Sequence, residues 1–587
     1  MLSDRPLSSA DASRGGRSLR RRTIMTGAAS TSLSLLALTA CTDEDTDPGP
    51  QEPDTDEVTA LRVVFSEDPA ARGDWTVWSV GYDLEEDQDA PPLYDASTQE
   101  ARHEALESKK AEKPWTREDP LLVLDPYGST LTGLYVFFED EAGGRLDVVS
   151  RAAATEDFAH TAANHAAESG FEGLVIGMIP GAHNTLTLTW RPEGSGGTSG
   201  EVRIKAPTTA SGYGTSVAAE IADAEALTPG LFALSGVTDL STNTYLVDNG
   251  GTMRAEVLSG DTAAHHFVPE DGRIVTTTGS RQLGVLDPFG HATALIDLGD
   301  HSVHHDLAVV GDLVYLLTSV ASSGRVEDRV LRVDLSTGEV AQVVDLQTVL
   351  PEYEAIAHVQ EGEAGGSAVQ GKDWIHLNSI DVTDGVMIVS ARETSTIIAL
   401  DDALEPGSEP SVRWMIGVEA LWEGTGYEEH FLAPEGTVIG NAGQHTVHRI
   451  DDDALPAGQY YLEMFNNNFW QLSTREEAEW QDVGPDDATT DEHDGVSHAL
   501  RYVVDESAGT FREDAAVELP YSSVVSNVFR LGDGGIDQPM VTNSGRAGEY
   551  SERAADGTLL ASYRYDSAGH GYRVYKDSFE GFWFAAP

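Results

Sequence analysis

The stretch Asp373–Arg392, DWIHLNSIDVTDGVMIVSAR, holds the residues best suited to chemistry. His376 and Asn378 stand two apart at the start of a predicted strand, a spacing that sends both side chains to one face. A VTDG turn follows, and the apolar run VMIVS over 386–390 reads as a second buried strand. Arg392 lies at its far end. A hairpin that returns an Arg towards a His and an Asn gathers a cation and polar donors around one point. Such a set can hold a tetrahedral oxyanion.

Three other polar clusters adjoin buried strands. His304-His305-Asp306 precedes LAVVGDLVYLL; Gln444-His445-Thr446 lies in NAGQHTVHRI, ahead of YYLEMFNNNFW; and YSSVVSNVF spans 521–529. The elements that must position them are strands. From about 208 to 587, strand spacing continues with turn signatures DNGG (248–251), EDGR (270–273), DLSTGEV (334–340) and DGT (556–558). Each reads as a hairpin with Gly where positive φ is needed. A run of that length with few helical stretches predicts a β-propeller, here without WD or kelch signatures.

Upstream, 58–207 carries the strand candidates 61–65, 75–80, 121–125, 131–140, 174–179 and 184–190, the spacing of a β-sandwich. Between them Asp83–Glu118 is rich in charge and reads as an exposed insertion, helical over Thr98–Lys113. Nothing in this region looks catalytic, which points to packing or the formation of a homodimer. The fold class is therefore all-β, an N-terminal β-sandwich followed by a β-propeller.

The chain has 587 residues, a 40% hydrophobic content ample for a core, and a formal charge of −61 with pI near 4.3. That surface repels nucleic acid and anionic membranes, excluding both as partners. Residues 1–41 read as a targeting segment. Arg20-Arg21-Arg22 before Thr23-Ile24-Met25 has the twin-arginine export pattern, and the apolar run Thr26–Ala40 is too short to span a bilayer. It ends in Leu38-Thr39-Ala40-Cys41, a lipobox pattern that makes Cys41 the lipidation site. Cys41 is the sole cysteine, so no intrachain disulfide or CxxC metal site is possible. Residues 42–57, acidic and Pro-containing, form a spacer. The expected location is the cell envelope, exported and held to the membrane by a lipid anchor only.

The motifs DW-x-H-x-N-S and S-x-R resemble those of the bacterial aryl-sulfate sulfotransferases, which need no nucleotide sulfate donor. HHD at 304–306, the GEV…DL…LP segment at 338–351, QHT at 444–446 and GYRVYK at 571–576 follow the family order. With DPYGSTLTGLYVFF and GMIPGAHNTLTLTW, the resemblance covers most of residues 120–580. It implies six blades, no cofactor, no metal, a phenolic sulfate donor and a phenol acceptor. It also implies that His445 becomes transiently sulfated, with Arg392, Asn378 and His376 holding the sulfuryl oxygens. One of His304 and His305 would serve as acid and base, since adjacent strand residues face oppositely.

The sequence departs from the family in three places. FNNNFW replaces an F-D-N-G ending, the short Cys–Cys loop before QHT is missing, and Val525 falls where the family has a Thr. Ser526 beside it, or Ser523, is the candidate substitute for substrate binding. Trp374, Trp422, Tyr427, Phe465 and Trp470 are candidates for an aryl pocket or for core, and Ser473–Asp494 for a lid or a solvated loop. Two other functions remain compatible with the pattern. One is a non-catalytic surface-anchored binding propeller. The other is a metal-dependent hydrolase using His304, His305, Asp306, His376 and His445, against which Arg392 would repel a cation and no tight ligand spacing is found along the chain.

Overall fold

A computed structural model describes residues 61–586 except 86–87, 168, 195, 238–242, 261–265, 359–370, 471, 476–477, 479–482 and 566–569. The export motif, Cys41 and the acidic spacer lie outside the described residues. Among the described residues, no helix is long and apolar enough to cross a membrane.

Two five-stranded sheets form the N-terminal sandwich. Val63–Glu67, Val77–Tyr82, Leu121–Leu124, Leu134–Glu139 and Gly170–Val175 build one sheet. Arg72–Gly73, Thr198–Lys205, His183–Pro192, Gly144–Ala152 and Phe158–Ala162 build the other. Alternation drives the packing: in His183–Pro192, Asn184, Leu186, Leu188 and Trp190 point inward between exposed neighbours. The strands Gly144–Ala152, Phe158–Ala162 and Thr198–Lys205 escape the sequence reading because they carry few large apolar residues: the first and third bury only alternate positions and fill most of the others with Asp, Glu, Lys, Arg or small residues.

The insertion at 83–118 is a packed element, not an exposed one. Its helix, Ala96–Lys110, starts at Asp95, whose carboxylate accepts from the N–H groups of Ser97 and Thr98. Thr98, Arg102, Leu106 and Lys109 fall on one stripe and are buried, and Gln99 Oε1 accepts from Ala292 N at 3.1 Å. The aliphatic stems of the Lys and Arg cover apolar surface, which composition alone conceals.

Six sheets follow, four of four antiparallel strands and two enlarged to five, one of them by the short parallel strand Ala433–Pro434, and they make the six blades of a propeller. Their innermost strands are Gly571–Asp577, Phe267–Glu270, His301–Val310, Leu377–Thr383, His445–Ile450 and Asn527–Arg530, heading blades 1 to 6. The ring closes because Gly571–Asp577 pairs with Leu231–Val237, so blade 1 joins the two ends of the propeller sequence. Ala218–Ile221 adds a second lock on the outer edge of blade 6. The predicted turns hold: Asp271-Gly272 has φ 47° and 73°, and Asp384-Gly385 has 52° and 79°. Two successive left-handed residues suit a tight hairpin, and Gly takes the second without strain.

Beyond Asp577 the chain leaves the propeller and binds the sandwich. Phe579, Phe582 and Trp583 are buried in one apolar cluster with Trp115, Tyr127 and Tyr135 of the sandwich and Phe267 and Ile274 of blade 2. Ala163 N donates to Trp583 O at 3.0 Å, and the indole of Trp583 donates to Pro288 O at 3.1 Å. Replacing Trp583 by Ala should cost about 3–5 kcal/mol, the range for emptying a buried large aromatic site. Chemical denaturation measures this; a loss under about 1 kcal/mol would show that the tail is not the seam.

Candidate functional site

The inner strands meet the propeller axis through residues in an unusual backbone state. His305, His376, Thr446 and Val525 have φ of 51°, 54°, 50° and 54°, and Ser526 has 91°. Non-glycine residues rarely adopt this left-handed region, and each costs about 1–3 kcal/mol. The ladder register shifts at the same places, between Val303 and Leu307, Leu377 and Ser379, and His445 and His448. Each bulge re-aims its neighbours. His376 thus precedes its strand, and the predicted common face with Asn378 is not what forms.

His376 lies deep in a carboxylate clamp. Its Nδ1 is 2.7 Å from Asp373 Oδ2 and 2.8 Å from Glu327 Oε2. Glu327 is 1% exposed and also meets His305 Nε2 at 3.2 Å, while His305 Nδ1 is 2.7 Å from the Tyr572 hydroxyl. Burial disfavours a charged imidazole, but Asp373 and then Glu327 outweigh it and push His376 up to about 10. Burial likewise acts to raise Glu327, yet the His376 and His305 rings hold it well below the usual carboxylate range. His376 is therefore a standing imidazolium with Nε2–H outside the clamp.

His305 and His304 part company. His305 joins Glu327, His376 and Tyr572, with its ring centroid 4.9 Å from that of His376. His304 is sealed in, neither ring nitrogen meeting a hydrogen-bond partner among the described residues, and burial drives it down to about 3.

His445 is 2% exposed, and its Nδ1 faces two acceptors, Asn467 Oδ1 at 2.7 Å and Gly443 O at 3.0 Å. The Asn467 amide cannot be turned over, because its Nδ2 donates to Ser522 O and Val525 O. The proton must then sit on Nδ1, which leaves the Nε2 lone pair uncommitted. Burial and the nearby Arg573 guanidinium push His445 well below its ordinary value, with smaller contributions from His305 and Arg392. The ring is neutral and oriented.

The remaining predicted residues frame this group. Arg392 follows the strand Val386–Ala391, and its N–H donates to His376 O at 3.0 Å. Asn378 Nδ2 donates to Gln444 O at 2.8 Å, so its amide braces the residue before His445. The Ser526 hydroxyl is used inside its own loop, 2.9 Å from Ser522 Oγ and 3.0 Å from Gly545 N, whereas Ser523 Oγ is buried without a partner among the described residues. Trp374, Trp422 and Phe465 are fully buried, Trp470 and Tyr427 pack beside them, and all five belong to apolar clusters. The insertion after Trp470 is tied down rather than free at its start. Glu393 Oε1 accepts from the backbone and hydroxyl of both Ser473 and Thr474 at 2.5–3.0 Å.

Sequence reasoning missed Glu327, Asp373, Asn467, Tyr572 and Arg573. Glu327 is hidden among 98 acidic residues, and Asp373, though it opens the DW-x-H-x-N-S motif, shows its part only through its contact with His376. His305, Glu327 and His376 offer ligand atoms within 4.8 Å of one another, a spacing that one ion could bridge. The contacts of His376 Nδ1 with Asp373 and Glu327 already place a proton there.

The chain matches the protein family described as Arylsulfotransferase (ASST) over residues 217–571. None of the curated proteins matches it. Among solved structures it is similar to a protein of unknown function from Bacteroides caccae, at 10% identity and TM-score 0.33, covering 59% of this chain and 98% of the other. It is also similar to BamB from Moraxella catarrhalis, at 14% identity and TM-score 0.27, covering 63% and 99%. Likeness at that level carries no argument about function.

The clamp on His376 is directly measurable. The folded ring holds its proton above the unfolded value of about 6.5, so this contact stabilises the fold fully below that pH. The stabilisation is lost as pH climbs through about 10. In histidine-labelled protein, the His376 resonance should remain that of the cation at pH 8. Asp373→Asn should lower its titration by about one to three pH units. A ring that titrates near 6.5 in the unaltered protein would overturn the clamp.

Proposed function

Because the chain belongs to the arylsulfotransferase (ASST) family, we propose that it moves a sulfuryl group from a phenolic sulfate ester to a second phenol in two half-reactions through His445. The observation that carries this reading is the fixed tautomer: Nδ1–H bound to Asn467 and Gly443, Nε2 free, the ring neutral. A neutral imidazole is a competent nucleophile.

In the first half-reaction Nε2 attacks sulfur in line. The N–S bond forms as the S–O(aryl) bond breaks, and the electron pair leaves on the phenolate oxygen, which takes up a proton. In the second, the acceptor phenol loses its proton as its oxygen attacks sulfur, and the N–S pair returns to Nε2. Sulfuryl transfer, like phosphoryl transfer, is loose, with charge spread over the peripheral oxygens. The Arg392 guanidinium and the His376 imidazolium receive that charge. His305 carries the phenolic proton in both directions, since it is less deeply buried than His304 and lies between a carboxylate and a hydroxyl. Asn378 acts by fixing Gln444, and Ser523, not Ser526, supplies the hydroxyl left over where the family has its Thr.

The export motif and Cys41 support an exported, lipid-anchored enzyme.

The test is incubation with 4-nitrophenyl sulfate, with and without phenol, followed by mass spectrometry. Nitrophenolate release should depend on phenol, and a sulfuryl adduct should form on the unaltered protein but not on His445→Ala. Removing Asn467 with Asn467→Ala should slow adduct formation by about 10²-fold or more, because the ring loses its tautomer. Release that needs no phenol and ends on adding a chelator would favour a metallohydrolase, and neither release nor adduct would favour a binding propeller.

A further inference from the structure

On blade 1, the strand that closes the ring carries a charged side chain that the two half-reactions leave unassigned. Arg573 is 0% exposed, yet its guanidinium is incompletely matched. Nη2 lies 3.3 Å from Asp306 Oδ2 and 3.3 Å from Asn378 O, and Nη1 lies 3.3 Å from Ser526 O. Nε has no partner among the described residues. One cation thus touches blades 3, 4 and 6 from blade 1, at distances longer than charge-assisted hydrogen bonds normally take. Its single carboxylate, Asp306, is also drawn on by Ile380 N at 3.3 Å. A buried charge costs several kcal/mol unless fully paired. Simple cross-bracing does not require one, because an apolar residue of similar volume fills such a position as well or better.

We propose that Arg573 is a positioning residue of the sulfuryl-transfer site, a fixed buried charge that reserves His445 for nucleophilic attack. This rests on the reading of His445 given above. Arg573 grips both supports of His445: it meets Asn378, whose amide braces Gln444 beside the ring, and Ser526, next to the Val525 carbonyl that fixes the Asn467 amide. The charged and titratable groups acting on the ring are Arg573 from blade 1, His305 from blade 3 and Arg392 from blade 4; Asn467 on its own blade is neutral. Arg573 itself faces Asp306, Tyr572 and Tyr575. Of the cations, Arg392 is committed to substrate oxygens in each turnover and is the more exposed. Arg573 stays charged and in place whether the site is empty, sulfated or occupied by phenol. A proton on Nε2 of His445 would take up the attacking lone pair, and the fixed cation disfavours it at every stage. Sulfation reverses the balance, since the group added to Nε2 brings oxygens that carry negative charge.

The experiment compares Arg573→Met, Arg573→Lys and Asp306→Asn in purified protein. It reads single-turnover nitrophenolate release against pH and, separately, the His445 ring resonance, assigned by its absence in His445→Gln. In Arg573→Met the acid limb and the ring titration should both move up by about one to three pH units. Arg573→Lys should restore the limb but not the full rate, because an ammonium lacks the planar fork. Asp306→Asn, which leaves the guanidinium unbalanced, should move the limb the opposite way and keeps the test alive if Arg573→Met does not fold. A slower enzyme with an unmoved limb, or a lysine variant no different from the methionine one, would overturn the proposal. If no nitrophenolate is released by the unaltered protein, the transfer reading fails; the His445 titration still decides whether Arg573 acts on that ring.

Discussion

Everything near the axis depends on one backbone constraint, a left-handed residue at or inside the start of three inner strands and at the bulge within a fourth. A regular strand would send successive side chains alternately into the channel and into the blade. The positive φ at His305, His376, Thr446 and Val525 interrupts that alternation, at the bulge within His301–Val310 and at the entry to the other three strands. Consecutive polar residues can then meet at one point while the strand below them stays apolar. The strain is held by the blades, whose inner faces are packed to near-zero exposure at Leu377, Val389, Leu462 and Val528. A rigid shell makes an unfavourable backbone state persist.

Charge is arranged around this point with equal economy. The site sits in low dielectric, where each unmatched group acts strongly. Two carboxylates hold one imidazole as a cation, while burial, reinforced by the Arg573 guanidinium, holds another imidazole neutral. Two histidines with the same intrinsic affinity for protons are thereby driven apart, one kept protonated and one kept neutral. Environment, not residue type, divides the labour.

Much of this was legible in the sequence, for identifiable reasons. Gly at the hairpin turns and the alternation in strands such as His183–Pro192 reveal an all-β chain. His376, Arg392 and His445 stand in motifs that the family resemblance makes readable. Asn378 was visible too, but the strand rule aimed it at the wrong neighbour, because a bulge cannot be read from spacing. Asn467 is one of three consecutive asparagines, and only its two carbonyl partners and the His445 ring distinguish it from Asn466 and Asn468. Arg573 was seen as part of GYRVYK, yet nothing local separates a structural arginine from one aimed at the axis. Such residues are defined by what three other blades bring to them, and that information is spread over the whole chain.

The closing strand has a consequence for biogenesis. Lys576 on the strand Gly571–Asp577 reaches Asn249, 327 residues away in sequence, and the same strand delivers Tyr572 and Arg573 to the axis. The polar cluster at the axis therefore matures last: it waits for a contact of high loop-closure entropy between the two ends of the propeller. A chain that lacks this strand has five blades' worth of strands but neither the closed ring nor the Tyr572 hydroxyl that meets His305.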